Sequence, residues 1–366
     1  MPVPICGCGS GTPADRCRRA APSRQPGPLR RTSAHPQARA DAARARRGSV
    51  HHARVNRRAP LPEPFADGPF VVATALEGGV SPSRLRSADL VAPFSGVRTL
   101  GPPADVIELA AAYAQRMRPG HVYAGVTAAR AWGLPVATEW QRSEPLVVGV
   151  PAGTTRTRAR GVRTREFDAT RLESGVLDGL PVLGPASTVM SLARETPHAD
   201  LVVLMDSLVT PSERYRDLRL ARRPFTDPAA LAAFAERCRG LHGAAAFAAA
   251  VADSRVGADS PQETRSRLTI VAAGLPEPVV QLEVWVDGVL RAEIDLAYPD
   301  WRIAIEYEGE HHLTDAAQWA KDIRRQELLE SLGWIVIRVT KADLHDGGRR
   351  LIERVRAALA RRGIEA

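Results

Sequence analysis

The most regular hydrophobic and polar patterning lies in the last hundred residues. The runs QLEVWVD (281–287), GVLRAEIDLAYP (288–299) and WRIAIEYEG (301–309) alternate with the period of two that marks strands. Asp287 and Gly288 suit a tight hairpin turn, and Tyr298, Pro299, Asp300 and Trp301 bridge the next pair, so an antiparallel meander is expected. The period then changes to that of a helix through AAQWAKDIRRQELLESL (316–332). Thr314 is the candidate cap, Asp315 sits in the first turn and Gly333 terminates it; WIVIRV (334–339) follows as a fourth strand. Before the meander, SPQETRSRL (260–268) opens another helix, with Ser260, Pro261 and Glu263 in the pattern of a capping box.

Upstream, residues 69–100 read as a short helix, a turn, a second helix and a short hairpin. Ser81 before Pro82 predicts the second helix, which would carry Ser83, Arg84 and Arg86; the hairpin with Ser95, Gly96 and Arg98 would be a wing. A helix-turn-helix sets its second helix in the major groove, where Arg84, Arg86 and Arg98 suit phosphate or guanine contacts. The alternative from pattern alone is a small helical cap with solvated arginines. Residues 104–118 and 121–135 look helical, the latter ending near Gly133, and PLVVGVP (145–151) is a buried strand. The stretch 154–185 mixes turn residues with Arg156, Arg158, Arg160, Arg163 and Arg165, which face either a polyanion or solvent. Residues 186–209 read as helical, and an Ala-rich helix pair over 228–253 is interrupted near Gly240 and Gly243. There is no Gly-rich phosphate loop, nucleophile motif or internal repeat.

Charge changes this picture mainly by removing an argument. The 366 residues carry 50 basic and 41 acidic side chains, net +9, but the first 60 hold 13 arginines against Asp15 and Asp41. The remainder has 37 basic and 39 acidic residues, so overall basicity says little about nucleic-acid binding by the folded part. The first 60 residues lack Phe, Trp and Tyr and are expected to be disordered. Cys6, Cys8 and Cys17 there have no fourth ligand nearby, and Cys238 stands alone, so neither a closed zinc site nor a disulfide framework is expected. No apolar run is long enough to span a bilayer, and no signal-peptide core follows the basic start, so a cytoplasmic protein without a membrane partner is expected. The fold class is α+β and multidomain. The expected units are a basic tail (1–61), a winged helix-turn-helix (62–103), a mixed α/β middle region (104–227), a helical spacer (228–257) and a C-terminal αβββαβ domain (258–366).

The candidate chemistry is in that last unit. Centring the second hairpin on Pro299 and Asp300 sets Asp295 opposite Ala304 and diagonal to Glu306, with Asp295, Glu306 and Glu308 on one face. Ile294, Leu296, Ile303, Ile305 and Tyr307 form the packing face. Clustered carboxylates on a half-buried sheet are costly without a cation or proton, and oxygen-only ligands with room for water suit Mg²⁺ or Mn²⁺. An ordinary acidic strand edge is the competing explanation. Asp322 and Arg325 are neighbours on the next helix and either pair together or turn to the sheet, where Arg325 would meet a phosphate. Glu263 is explained by its capping box, with a metal or substrate role as a second reading.

Taken in order, SPQETRSRL, GLPEP, AEIDLAYPDWRIAIEYEGEHH and KDIRRQELLESLGWIVIRVT resemble the restriction-endonuclease-like PD-(D/E)XK superfamily, in the branch related to very-short-patch mismatch repair endonucleases. The resemblance runs from about Asp259 to Leu359. It implies that Asp295 is the central metal-binding aspartate and Glu306 the first acid of the E-X-K motif. Glu263 becomes the acid of the preceding helix, His311 or His312 the histidine after the acidic strand, and Asp322 and Arg325 the polar positions of the following helix. The motif's lysine position holds Glu308, a longer version of an acidic exchange common in this branch. The resemblance thus implies catalytic Asp295, Glu306, Glu308, Glu263, His312, His311, Asp322 and Arg325, with metal on Asp295, Glu306 and Glu308. Residues 62–210 more loosely resemble abortive-infection type IV antitoxins of the AbiEi-like kind, which bind DNA as repressors. Together these imply a metal-dependent DNA endonuclease with an N-terminal DNA-binding module. The alternative is an antitoxin-like regulator whose nuclease-fold domain is idle. DNA is the expected partner; a homodimer and a toxin–antitoxin or DNA-repair partner stay open.

Overall fold

The computed structural model describes residues 59–156, 158–211, 215, 223–308 and 316–365, and their side chains except those of 316–322. The basic tail with its three cysteines, and Thr314 and Asp315, lie outside the described residues. Chain folding begins with β1 (Phe70–Val71), α1 (Val72–Glu77), β2 (Leu90–Val91) and β3 (Val97–Leu100), in a sheet ordered β1-β3-β2. Phe65 and Phe70 stack at 5.4 Å and, with Leu61, Ala75, Val80 and Leu85, form its small core. The expected second helix is a single 3-10 turn, Arg84–Arg86. Ser81 Oγ does accept the Arg84 N–H at 3.2 Å, as a cap would. Propagation then stops because Ser87 is extended and hydrogen-bonds back to the Arg84 carbonyl, while Arg84 grips Asp89 through both guanidinium nitrogens at 3.0 and 2.9 Å.

The middle of the chain contains α2 (Val106–Ala114), β4 (Val122–Tyr123), α3 (Gly125–Ala131), β5 (Leu146–Pro151), β6 (Val162–Phe167), β7 (Ser174–Leu177), β8 (Leu180–Leu183), α4 (Pro185–Leu192), α5 (His198–Val209), α6 (Pro228–Arg237) and α7 (Ala244–Asp253). Asp105 caps α2 by accepting the N–H groups of Ile107 and Glu108. The five strands are ordered β6-β5-β4-β8-β7. One core joins β5 and β8 to α2 through Tyr113, Tyr123, Leu146, Val148 and Val182. The other joins the sheet to α4–α7 through Phe167, Met190, Leu201, Met205, Leu231 and Phe247. Three strands therefore occupy the stretch 154–185, and Arg163 and Arg165 lie on one of them, β6.

At the C-terminal end come α8 (Pro261–Ala272), β9 (Val279–Val286), β10 (Val289–Tyr298), β11 (Ile303–Tyr307), α9 (Ala316–Ser331), β12 (Ile335–Val339) and α10 (Arg349–Arg361). The sheet is ordered β12-β11-β10-β9, antiparallel through the meander and parallel between β11 and β12. Both faces are covered. Ile270 of α8 and Leu351, Val355 and Leu359 of α10 pack on Leu296, Ile303, Ile305, Ile337 and Val339. Leu329 of α9 packs on Val284, Ala292, Ile294, Ala297 and Ala304. Ile294 thus belongs to the α9 side rather than with Leu296; the ladder between β9 and β10 omits the pair Asp295 and Gln281, where Gln281 takes φ 49°.

α8 is fastened to α5 by charge as well as by apolar contact. Arg267 and Asp206 are buried and 3.4 Å apart; Arg267 also donates to the Asp253 carbonyl at 2.7 Å and to Glu277 at 2.8 Å. Asp206 in turn accepts from Thr264 Oγ1 at 2.8 Å and from the Arg255 N–H at 2.7 Å. Burial pushes the Asp206 carboxyl up to about 6, against these favourable partners. No helix among the described residues is long and apolar enough to cross a membrane.

Candidate active site

The register of the β10–β11 hairpin differs from the expected one in a way that tightens the carboxylate cluster. Leu296 faces Ile305, Ala297 faces Ala304 and Tyr298 faces Ile303. The turn is a 3-10 segment, Pro299–Trp301, closed by Arg302 in the left-handed region at φ 46°, and this moves every pairing on by two. Continuing the ladder one step sets Asp295 across from Glu306, not diagonal to it. Asp295 Oδ2 accepts the Tyr307 N–H at 2.8 Å, which fixes the carboxylate at the end of β11.

Two guanidiniums offset this charge. Arg325, on α9, donates to Glu306 and, at 3.2 Å, to the Glu293 carbonyl, so the helix face bearing Arg325 does turn to the sheet. Arg338, on β12, lies beside Glu306 in the parallel register and ion-pairs with Glu308. Glu306 keeps 8% side-chain exposure, whereas Arg325, Arg338 and Glu308 keep 36%, 35% and 40%, so Glu306 is the deep member of the cluster.

Glu263 meets half of the expected capping box: Ser260 Oγ accepts its N–H at 3.3 Å, but its carboxylate accepts the Asp259 N–H at 2.8 Å and the Ser260 hydroxyl at 2.8 Å rather than the Ser260 N–H. The same group takes a hydrogen bond from Gln281 Nε2 at 3.1 Å. Burial, and next the charge of Asp295, push the Glu263 carboxyl up to about 8. Near neutral pH this acid is therefore held in its protonated form.

Among the described residues no three His, Cys, Asp or Glu side chains form a ready metal cage. Mg²⁺ does not need one, because it retains several waters and is held by one or two carboxylates together with substrate phosphate. The donor chemistry of Asp295 and Glu306, all oxygen and on adjacent strands, fits that requirement. Glu308 pairs with Arg338 as Glu306 does with Arg325, and Glu263 is engaged by the start of α8 and by Gln281.

The structure brings Asp295, Glu306, Glu308, Glu263 and Arg325 to one end of the sheet. His311, His312 and the side chain of Asp322 lie outside the described residues. Sequence reasoning missed Arg338 and Gln281. The first joins the site only through β11–β12 pairing, and the second through a left-handed backbone in the middle of a strand. In the N-terminal segment, Arg84 is held by Ala59 O, Ser87 and Asp89, and Arg98 donates to the Leu85 and Val97 carbonyls. Arg86 is exposed. At the middle sheet, a cleft of about 470 Å³ is lined by Arg156, Arg163 and Arg165, which pair with Glu166 or Glu195.

No family model matches the chain, and no solved structure matches it. Two uncharacterized proteins of Mycobacterium tuberculosis, MT2308 of strain CDC 1551 / Oshkosh and Rv2248 of strain ATCC 25618 / H37Rv, are similar to it. Each is 29% identical over 187 residues, which is 50% of this chain and 64% of the relative. The match therefore spans less than two thirds of these relatives' length.

Proposed function

We propose that residues 258–366 are a divalent-metal-dependent DNA endonuclease domain and that the N-terminal segments help to hold the DNA. The observation that carries the reading is the hydrogen bond from the Tyr307 N–H to Asp295, which holds this carboxylate at the end of β11 next to Glu306, with Arg325 and Arg338 flanking. Asp295 and Glu306 would hold the ion. Mg²⁺ or Mn²⁺, when bound there, supplies a polarised water and charge neutralisation at the phosphodiester. Arg325 and Arg338 have planar, permanently charged groups suited to the non-bridging oxygens, where charge accumulates during displacement. Glu263, kept neutral by burial, fixes Gln281 and the start of α8 rather than adding a further negative charge.

One observation favours a second reading. Glu308 stands where the motif has lysine and is engaged by Arg338, which also suits an antitoxin-like DNA-binding regulator whose nuclease-fold domain does not cut. Nicking and linearisation of supercoiled plasmid with Mg²⁺ or Mn²⁺ separates the two. Wild type is expected to cut, and Asp295→Ala and EDTA to abolish cutting. Retained DNA binding without any cutting by wild type would transfer the assignment to the regulator.

A further inference from the structure

Three segments far apart in sequence meet beside the middle sheet. They are the β2–β3 turn (93–97), the chain leaving α2 (115–121) and the loop from β5 to β6 (151–161, of which residue 157 is outside the description). Phe94 stacks edge-on against Tyr113 at 5.0 Å, and Arg116 donates to the Ser95 carbonyl. Phe94 also lies 3.8 Å from the position a Cβ on Gly161 would take, and Ala159 packs on the core that contains Phe94 and Tyr113. His121 is hydrogen-bonded to the backbone at Thr155 and feels the charge of Arg118. The contacts fix the three segments as one surface.

That surface has one sign of charge. The segments carry Arg116, Arg118, Arg156, Arg158 and Arg160, all exposed, and not one Asp or Glu. Glu166, on β6, pairs with Arg156 beside the cleft, leaving Arg116, Arg118, Arg158 and Arg160 as the centre of the patch. Such concentration in a folded part with almost balanced charge is local, not a reflection of overall composition.

We infer that this arginine surface, rather than the Arg84–Arg86 turn, contacts the phosphate backbone of duplex DNA. Two features select that partner. The aromatic and imidazole rings of these segments, Phe94 and His121, are buried, so the surface offers no ring on which unpaired bases would stack. It also lacks the large exposed apolar anchors that dominate protein interfaces, while arginines on loops suit spaced phosphates. The inference rests on duplex DNA being the substrate or target, as proposed above, but not on cleavage.

The test is fluorescence anisotropy with a labelled duplex of arbitrary sequence, titrated with NaCl between about 50 and 200 mM. The triple variant Arg118→Gln/Arg158→Gln/Arg160→Gln is expected to bind at least about tenfold more weakly and to lose about two to three units from the slope of log affinity against log salt. A control triple, Arg239→Gln/Arg349→Gln/Arg361→Gln, removes equal charge from other exposed positions and should stay within about twofold of wild type. Unchanged thermal midpoints exclude unfolding. Equal losses in the two triples, or no duplex binding by wild type at the lowest salt, would overturn the inference. The anisotropy is read in EDTA, where no metal-dependent cutting occurs, so a failed cleavage assay and a failed binding surface are separate results.

Discussion

Two arginine–carboxylate constellations in this protein use the same residue types to opposite ends. Between α5 and α8, Arg267 and Asp206 keep 2% and 0% side-chain exposure, and each is enclosed by further protein hydrogen bonds. At the end of the C-terminal sheet, Arg325 and Arg338 keep about a third of their exposure, Arg325 over the deeper Glu306 and Arg338 beside the equally exposed Glu308. The first closes its charge internally and has nothing left for a ligand. The second keeps both guanidiniums and Glu308 at the solvent face with Glu306 behind them, so its charges stay within reach of solvent. Burial and hydrogen-bond completion, more than the presence of an ion pair, separate what fastens the fold from what remains available for chemistry.

Substitutions should break the two constellations differently. Arg267→Met strands the buried Asp206 and should cost about 3–5 kcal/mol in urea denaturation, the scale for removing one partner of a buried pair. Asp295→Ala should lower cleavage by about 10²–10³-fold, the scale of losing one preorganised electrostatic stabiliser, with little change in the urea midpoint. A pH series sharpens the contrast. Asp206 is raised to about 6 from its ordinary 3.8, so the native state binds the proton more tightly than the unfolded chain. Its contribution is therefore greatest below about pH 4 and is lost as pH rises through about 6. The stability of wild type relative to Asp206→Asn should fall over that window, and a rise would contradict the assignment. Arg325→Ala takes the guanidinium from a buried carboxylate but opens that side to water, so it should cost about 1–3 kcal/mol, less than Arg267→Met, while cleavage drops.

Local patterning carried most of the C-terminal end. Ser260, Pro261 and Glu263 announced α8, and the alternation through Ile294–Tyr307 announced the meander. Its register was less visible, because a left-handed Arg302 is not a residue whose conformation composition dictates, and the two-residue difference decides whether Asp295 faces Glu306. β6 was legible only as one of two readings of its arginines, because Val162, Arg163, Thr164, Arg165, Glu166 and Phe167 give an edge strand with few apolar positions. The second N-terminal helix failed for the converse reason: Ser81 and Pro82 gave a sound start, but Ser87 and Asp89 captured the ends of Arg84 after one turn. Arg338 could not be assigned to the site before β12 was known to lie parallel to β11.

The most direct measurement is the electron paramagnetic resonance signal of free Mn²⁺ titrated against the full chain without DNA. Wild type and Glu277→Gln, whose carboxylate belongs to the buried network, should deplete the free-ion signal alike. Asp295→Asn and Glu306→Gln should not. Equal depletion by all four proteins, or none by wild type, would contradict a cation site built on Asp295 and Glu306.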